Sequence, residues 1–369
     1  MKEKFNIHTV LVAPLDWGLG HATRCIPLIR ALQAAGYNVL IGSDGPQKAL
    51  LHKEFPTLPI LPLKGYCVRY AKTRWLFLFK LLLQLPKIYL AIQDEHNWLD
   101  AVIDKYAIDL VLSDNRFGLH SLKIPCIFIT HQLTIKAPFC WQQKGIQKIN
   151  YAQINQFTAC WVPDVPGEIN LAGILSHPTT LPKIPVYYMG ILSRFVRDDK
   201  EVMVKKYDYC MVISGPEPQR TVLENKIISE TYTIKGNILL VRGKPGNEEE
   251  IEVAKNVEVK NHLSGPELQH AFNNSKYIIS RSGYTTVMEL LSLQKKSILL
   301  PTPGQTEQEY LAERLLQQGW CFTLNQDKFN LLAATKAADQ FSYTTITLPI
   351  FDVDKLRELL AQVFHFNNC

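Results

Sequence analysis

Between Glu54 and Asp94 the chain has no acidic residue, although Lys64, Arg69, Lys72, Arg74, Lys80 and Lys87 fall there. The eight cysteines, at 25, 67, 126, 140, 160, 210, 321 and 369, form no C-x-x-C pair, and no histidines cluster. That spacing indicates neither a zinc site nor a disulfide framework, and buried reduced thiols are expected. The opening Met1-Lys2-Glu3-Lys4-Phe5 leads into a strand-like run without a small-residue cleavage site, so no signal peptide is read and a cytoplasmic location is expected. Internal repeats and low-complexity segments are missing. The basic and aromatic residues follow no nucleic-acid module, which sets that class of partner aside. The most apolar stretch, 75–86, is interrupted by Lys80 and Pro86 and is too short to span a bilayer.

A length of 369 residues with 47% hydrophobic content suffices for two domains with full cores. The net charge of +6 is uneven, because residues 1–165 carry 18 Lys/Arg against 11 Asp/Glu and the remainder 22 against 23. The N-terminal half is therefore the basic one. Residues 69–87 admit two readings. With their basic flanks they suit a peripheral contact with an anionic membrane surface, and their all-round hydrophobicity equally suits a buried helix.

Two stretches place chemistry. Tyr277-Ile278-Ile279 reads as a buried strand that ends in Ser280-Arg281-Ser282-Gly283 before a helix opening at Tyr284. A helix start after a strand offers free N–H groups and the positive end of the dipole, an anion site, and Gly283 lets a phosphate approach closely. Glu289 lies off the stripe formed by Val287, Leu290 and Leu291. It is placed to accept hydrogen bonds from ribose hydroxyls, or to close a capping box with Thr286. Ser297 to Leu300 is a further strand, and beyond Pro301-Thr302-Pro303-Gly304 the residues Gln305, Glu307, Gln308 and Glu309 are suited to sugar hydroxyls.

The other stretch is the loop after the first strand, His8 to Ala13. It runs Gly18-Leu19-Gly20-His21-Ala22-Thr23-Arg24, with Pro27 expected in the first turn of the following helix. A histidine at the carboxyl edge of a parallel sheet faces the crevice where ligands bind and can act as a general base; a packed or solvated histidine at a helix start is the competing reading. Ile108 to Asp114 is another strand, and Asp114 at its end either orients His21 or satisfies turn backbone. Tyr209 to Ile213 feeds a second strand-to-helix turn, Ser214-Gly215-Pro216-Glu217-Pro218-Gln219-Arg220, whose two prolines lack N–H donors and leave Ser214 and Arg220 to meet an anion. The βαβ rhythm predicts α/β architecture with parallel sheets.

Arg281-Ser282-Gly283, Glu289, Pro301 and Gln308-Glu309, taken in order, resemble the donor-binding half of the GT-B glycosyltransferases, most closely glycosyltransferase family 28. Many members have two adjacent glutamines where this chain has Gln308 and Glu309. The loop Gly20-His21 also resembles the family's glycine-glycine-histidine loop, with one glycine fewer, and the glycine-histidine-x-x-arginine of a nucleotide-sugar hydrolase. The resemblance implies two Rossmann-like domains facing across a cleft: an acceptor domain at 1–190, a donor domain at 191–350, and a last helix at 351–369 crossing back. It implies catalysis by His21 with Asp114, and an acceptor side formed by Gly18, Gly20, Arg24 and His131. Donor contacts would come from Arg194, Ser214, Gly215, Arg220, His262, Leu263, Ser282, Gly283, Tyr284, Glu289, Gln308 and Glu309. The implied reaction is an inverting, metal-independent transfer from a UDP-sugar, N-acetylglucosamine foremost, to a hydroxyl acceptor, lipid-linked or free, without a cofactor. A nucleotide-sugar hydrolase and a non-catalytic nucleotide-sugar binding subunit are the competing functions.

Overall fold

The computed structural model describes residues 7–66, 74–136, 140–197, 205–244 and 249–366. They fall into two units, one made of residues up to 69, 79–193 and 349–369, the other chiefly of Arg194–Leu348.

The first unit runs β1 (Thr9–Pro14), α1 (Leu19–Ala34), β2 (Asn38–Ser43), α2 (Gly45–Glu54), β3 (Ile60–Pro62), α3 (Arg74–Tyr106), β4 (Leu110–Asp114), β5 (Cys126–Ile129), α4 (Cys140–Ile154), β6 (Ala159–Val162) and β7 (Val186–Tyr188). Its strands form one sheet in the order β3-β2-β1-β4-β5-β6-β7, and every pairing is parallel. Strands of such a sheet are covered on both faces, which is why β1 and β4 are buried along their whole length and read as unbroken apolar runs. Leu11, Val111, Phe128 and Cys160 from neighbouring strands meet Leu99 and Ile103 of α3 in the core.

The second unit contains β8 (Tyr207–Val212), α5 (Gln219–Glu230), β9 (Ile238–Val241), β10 (Val257–Lys260), α6 (Gly265–Asn273), β11 (Ser275–Ser280), α7 (Tyr284–Ser292), β12 (Ser297–Leu299), α8 (Thr306–Gln317), β13 (Phe322–Thr323) and α9 (Leu331–Gln340). Its sheet, β10-β9-β8-β11-β12-β13, is also parallel throughout. Counted within each unit, both orders begin 3-2-1-4-5-6, the doubly wound arrangement. Its strand order reverses between β1 and β4 in one unit and between β8 and β11 in the other. At such a reversal the loops leaving the strands diverge to opposite faces and leave a crevice at the carboxyl edge.

The chain returns to the first unit at Ile350, which bridges in parallel to Ile191. Ile191 N–H donates to Pro349 O at 2.9 Å and Phe351 N–H to Ile191 O at 3.0 Å. The helix α10 (Val353–Phe366) then packs on α1 of the same unit and buries Leu356, Leu359, Leu360 and Val363.

Two local expectations need correction. Pro27 sits in the interior of α1, not in its first turn, because the helix already begins at Leu19, directly after Gly18. Pro27 has no N–H to give the Thr23 carbonyl one turn earlier, a cost the buried apolar face around it outweighs. The apolar stretch 75–86 is only the beginning of α3, which continues through Pro86 for 33 residues. Within the expected membrane-contact segment, residues 69–73 and the side chains of 74–83 and 85 lie outside the described residues.

Candidate active site

At the first reversal point the turn after β1 closes with Gly18 N–H donating to Asp16 O at 2.9 Å. Gly18 has φ +102°, which L side chains rarely adopt, and it caps α1. Gly20 and His21 therefore lie in the first turn of that helix, and Arg24, three residues on, shares the face of His21. Asp114 is the last residue of β4, in register with Pro14 of β1. His21 Nδ1 stands 2.8 Å from Asp114 Oδ2. Arg24 Nε donates to both carboxylate oxygens at 2.9 and 3.0 Å. Its Nη2 binds Oδ1 as well and lies 2.8 Å from His21 Nδ1, while Nη1 lies 3.3 Å from His131 Nδ1 beyond the end of β5.

His21 Nδ1 faces both an acceptor, the Asp114 carboxylate, and a donor, Arg24 Nη2. In the tautomer with the proton on Nδ1, directed at Asp114, a neutral His21 keeps the Nε2 lone pair. Arg24, Asp114 and His131 are buried, whereas the His21 side chain is 16% exposed. Burial and then the Arg24 charge push the His21 titration below 6.5, against the upward pull of Asp114; His131 adds to the downward side. Burial alone would raise the Asp114 carboxyl, but Arg24 and His21 outweigh it and hold it below 3.8. A histidine neutral at physiological pH, with one nitrogen held by a carboxylate, is the arrangement a general base needs.

The second reversal point is built differently. β8 leads into Ser214 and Gly215, the latter with φ +107°, and β11 leads into Arg281-Ser282-Gly283. Ser282 Oγ donates to Gln308 O at 2.9 Å. Gly283 caps α7 in an extended conformation without a side-chain cap, and a Cβ placed there would meet nothing within 4 Å. Space is thus open at the start of α7, where Tyr284 is the first residue. Gln308 Oε1 accepts Thr302 N–H at 2.9 Å, Gln308 Nε2 donates to Gln305 Oε1 at 2.5 Å, and Glu309 Oε1 accepts Gly304 N–H at 2.9 Å. Gln308 and Glu309 therefore shape the loop after β12 through these contacts.

Three charged side chains of this unit are already engaged. Glu289 is buried, not off the core, and its Oε1 accepts Arg194 Nε at 2.6 Å. Burial raises its carboxyl and Arg194 opposes that rise. The capping-box reading with Thr286 is replaced, because the helix starts at Tyr284 and Thr286 lies within it. Arg220 is buried in the first turn of α5, where it binds Glu217 at 2.7 Å, Glu224 at 2.9 Å and Arg242 O at 2.9 Å. His262 is exposed and Leu263 half-buried, just before α6. Arg281, by contrast, faces only carbonyls among its hydrogen-bond partners: Leu300 and Pro301 at 3.3 Å and Gln219 at 2.9 Å. Burial without a paired carboxylate pushes its titration down to about 10, so it remains a cation at the edge of the sheet.

Among the described residues no group of three or more His, Cys, Asp or Glu is placed to hold a metal ion. The chain has one Asp-x-Asp spacing, the pattern that holds a metal in many glycosyltransferases, at Asp352-Val353-Asp354. Here it starts α10: Asp352 Oδ1 accepts Lys355 N–H at 2.8 Å and Asp354 pairs with Arg357 at 3.0 Å.

Two parallel sheets in doubly wound order are the plan of the GT-B fold, which glycosyltransferases of known structure share with this chain. Residues 210–342 match the glycosyltransferase family 28 C-terminal domain. An uncharacterized glycosyltransferase of Methanosarcina acetivorans is 23% identical over 327 residues, covering 82% of each chain. A second from that organism is 25% identical over 333 residues, covering 82% of this chain and 80% of its own. Among solved structures, the glycosyltransferase of kitacinnamycin superposes with TM-score 0.64 at 13% identity, over 97% of this chain and 95% of its own. MurG of Acinetobacter baumannii gives 0.54 at 14%, over 96% and 99%. SsfS6 of Streptomyces sp. SF2575, solved with thymidine diphosphate, gives 0.60 at 15%, also over 96% and 99%.

Proposed function

We propose that the enzyme moves a sugar, N-acetylglucosamine, from its UDP conjugate to a hydroxyl of a lipid-linked acceptor in envelope glycan or glycolipid synthesis, with inversion and without a metal or cofactor. The observation that carries the reading is the His21–Asp114 contact of 2.8 Å at the reversal point of the first sheet. His21 Nε2 takes the acceptor proton, the acceptor oxygen forms the new bond to the anomeric carbon from the face opposite the diphosphate, and UDP departs with the electron pair of the broken C–O bond. Asp114 steadies the imidazolium. In the second unit the start of α7 and the Ser214-Gly215 turn receive the diphosphate with backbone N–H groups, Glu289 takes the ribose, and Arg281 adds fixed positive charge. With Arg194 and Arg220 tied to carboxylates, leaving-group charge falls to these helix starts.

Residues 69–87 are the proposed contact with anionic membrane. Exposed Tyr89 and Leu90, directly beyond on α3, are consistent with an apolar face there, and no helix among the described residues is long and apolar enough to cross a membrane. Sedimentation with anionic vesicles at low salt and release at high salt checks this part.

The test of the whole is incubation with labelled UDP-N-acetylglucosamine, with and without cell lipid extract and with EDTA. Acceptor-dependent UDP release that survives EDTA is expected. Rapid acceptor-free release would make the enzyme a hydrolase, binding without turnover would make it a binding subunit, and loss with EDTA restored by manganese would end the metal-free mechanism.

A further inference from the structure

A second buried charge cluster lies immediately behind Asp114, in the same unit. The chain leaves β4 through Asn115, at φ +58°, which turns Arg116 inward beneath the sheet edge. Arg116 is 1% exposed, and its Nε donates to Glu95 Oε1 of α3 at 2.6 Å. The other Glu95 oxygen accepts Tyr66 OH at 2.7 Å and Gly118 N–H at 3.1 Å. Tyr66 OH in turn accepts Phe117 N–H at 2.9 Å. Three donors and no acceptor surround Glu95, the environment of a carboxylate anion.

The rest of the guanidinium reaches the catalytic turns. Nη1 donates to Pro14 O at 3.1 Å and Nη2 to Lys64 O. Pro14 is the residue paired with Asp114, and Leu15 N–H donates to Asp114 O at 3.0 Å. Ser113 Oγ donates to Arg116 O at 2.6 Å. One planar fork therefore ties the end of β1, the turn after β4, the segment before Tyr66 and α3 to one point. None of its atoms touches His21 or Arg24.

We propose that Arg116, held by Glu95 and Tyr66, is a positioning residue that aims the Asp114 carboxylate at His21 and Arg24. The proposal rests on His21 being the base. The physical reason is that Asp114 must present Oδ2 to His21 and both oxygens to Arg24 from the last residue of a strand, whose backbone is held by Leu15 N–H to Asp114 O at 3.0 Å and Asn115 N–H to Ile129 O at 3.1 Å. The Arg116 fork pins the end of β1 and the turn after β4, the two segments that make those bonds. Lysine would keep the charge but bind one of the partners at a time.

The groups facing His21 are Asp114 from β4, Arg24 from α1 and His131 from the turn after β5. Burial and then Arg24 push the His21 titration down while Asp114 pulls it up, so a carboxylate turned away from the ring lets that titration fall further below 6.5. Arg116→Lys and Tyr66→Phe test this, with the His21 imidazole followed by NMR across pH and assigned against His21→Ala. Expected are a downward move of the midpoint in both variants, larger for Arg116→Lys, a fall in kcat on the order of up to 10²-fold, and unchanged UDP affinity by calorimetry. A folded variant whose Tm falls while the His21 midpoint stays put, or rises as water enters, makes the cluster structural and overturns the proposal. If Arg116→Lys does not fold, Tyr66→Phe decides alone. The titration needs no substrate, so failure to transfer any sugar would defeat the catalytic reading while leaving this result decisive for positioning.

Discussion

The two reversal points share a strand order and differ in what they present. In the first, the loops deliver side chains that titrate or hold titrating groups: His21, Arg24, Asp114 and His131, linked by contacts of 2.8–3.3 Å. In the second, the loops deliver backbone: Gly215 at φ +107°, an open Gly283, and side chains such as Ser282 and Gln308 turned onto neighbouring turns. The first edge suits moving a proton and the second suits receiving an anion. One topology thus suits base chemistry or phosphate recognition according to whether charged side chains or helix starts occupy its crevice.

The sharpest way to break this division is His21→Ala. Turnover should fall by about 10²–10⁴-fold with UDP affinity unchanged, measured by product formation and calorimetry; a mutant with undiminished turnover would strip the first edge of its role. Next, Asp114→Asn removes the charge opposite buried Arg24 and should cost about 3–5 kcal/mol, as expected for a broken buried pair, seen as a lower denaturant midpoint. Glu289→Ala should weaken UDP binding by about 10-fold or more, if a charge-assisted hydrogen bond of about 1.5–3 kcal/mol to the ribose is lost. Binding as tight as the parent's would leave Glu289 only its Arg194 contact.

The pH dependence separates the edges further. His21 is held below 6.5 when folded, so between its folded value and 6.5 the unfolded chain binds the extra proton. Its contribution to stability is complete above 6.5 and declines as pH falls below it. The acid limb of kcat should likewise lie below 6.5. Asp114, depressed below 3.8, contributes stability that is present above that value and is lost as pH falls through its folded value. Asp114→Asn should remove that lower step in a denaturation series. The smallest expected effect is Gly18→Ala, where a positive φ costs a β-carbon about 1–2 kcal/mol and a modest drop in Tm.

The parts of this arrangement legible in the sequence were those written in continuous apolar runs. The β1, β4, β8, β11 and β12 segments stand out because parallel strands are buried on both faces, and the residues that follow them, from Gly18 to His21 and from Ser282 to Gly283, are placed by chain order alone. Residues with long side chains were harder. Arg24 was singled out by the glycine-histidine-x-x-arginine resemblance and set on the acceptor side, but its long stem carries the guanidinium to Asp114, a contact the spacing alone did not reveal. Glu289 looks solvent-facing from periodicity and is buried because Arg194, far away in sequence, neutralises it. Glu95 gave no local sign, since its partners Tyr66 and Arg116 come from other turns and the run of α3 past Pro86 was not apparent. A proline normally ends a helical pattern, and both Pro27 and Pro86 sit inside helices here.

The bridge between Ile191 and Ile350 gives the molecule a cassette-like architecture. The polypeptide exits the first unit and re-enters it on adjacent strands of backbone, so the intervening Arg194–Leu348 is an insertion whose two ends are already clasped together. A chimera that replaces this insert with the corresponding segment of another glycosyltransferase would join at points the host fixes by itself. Such grafts would exchange the inserted unit as a module while the first unit, its α10 helix included, keeps its sequence and its own packing.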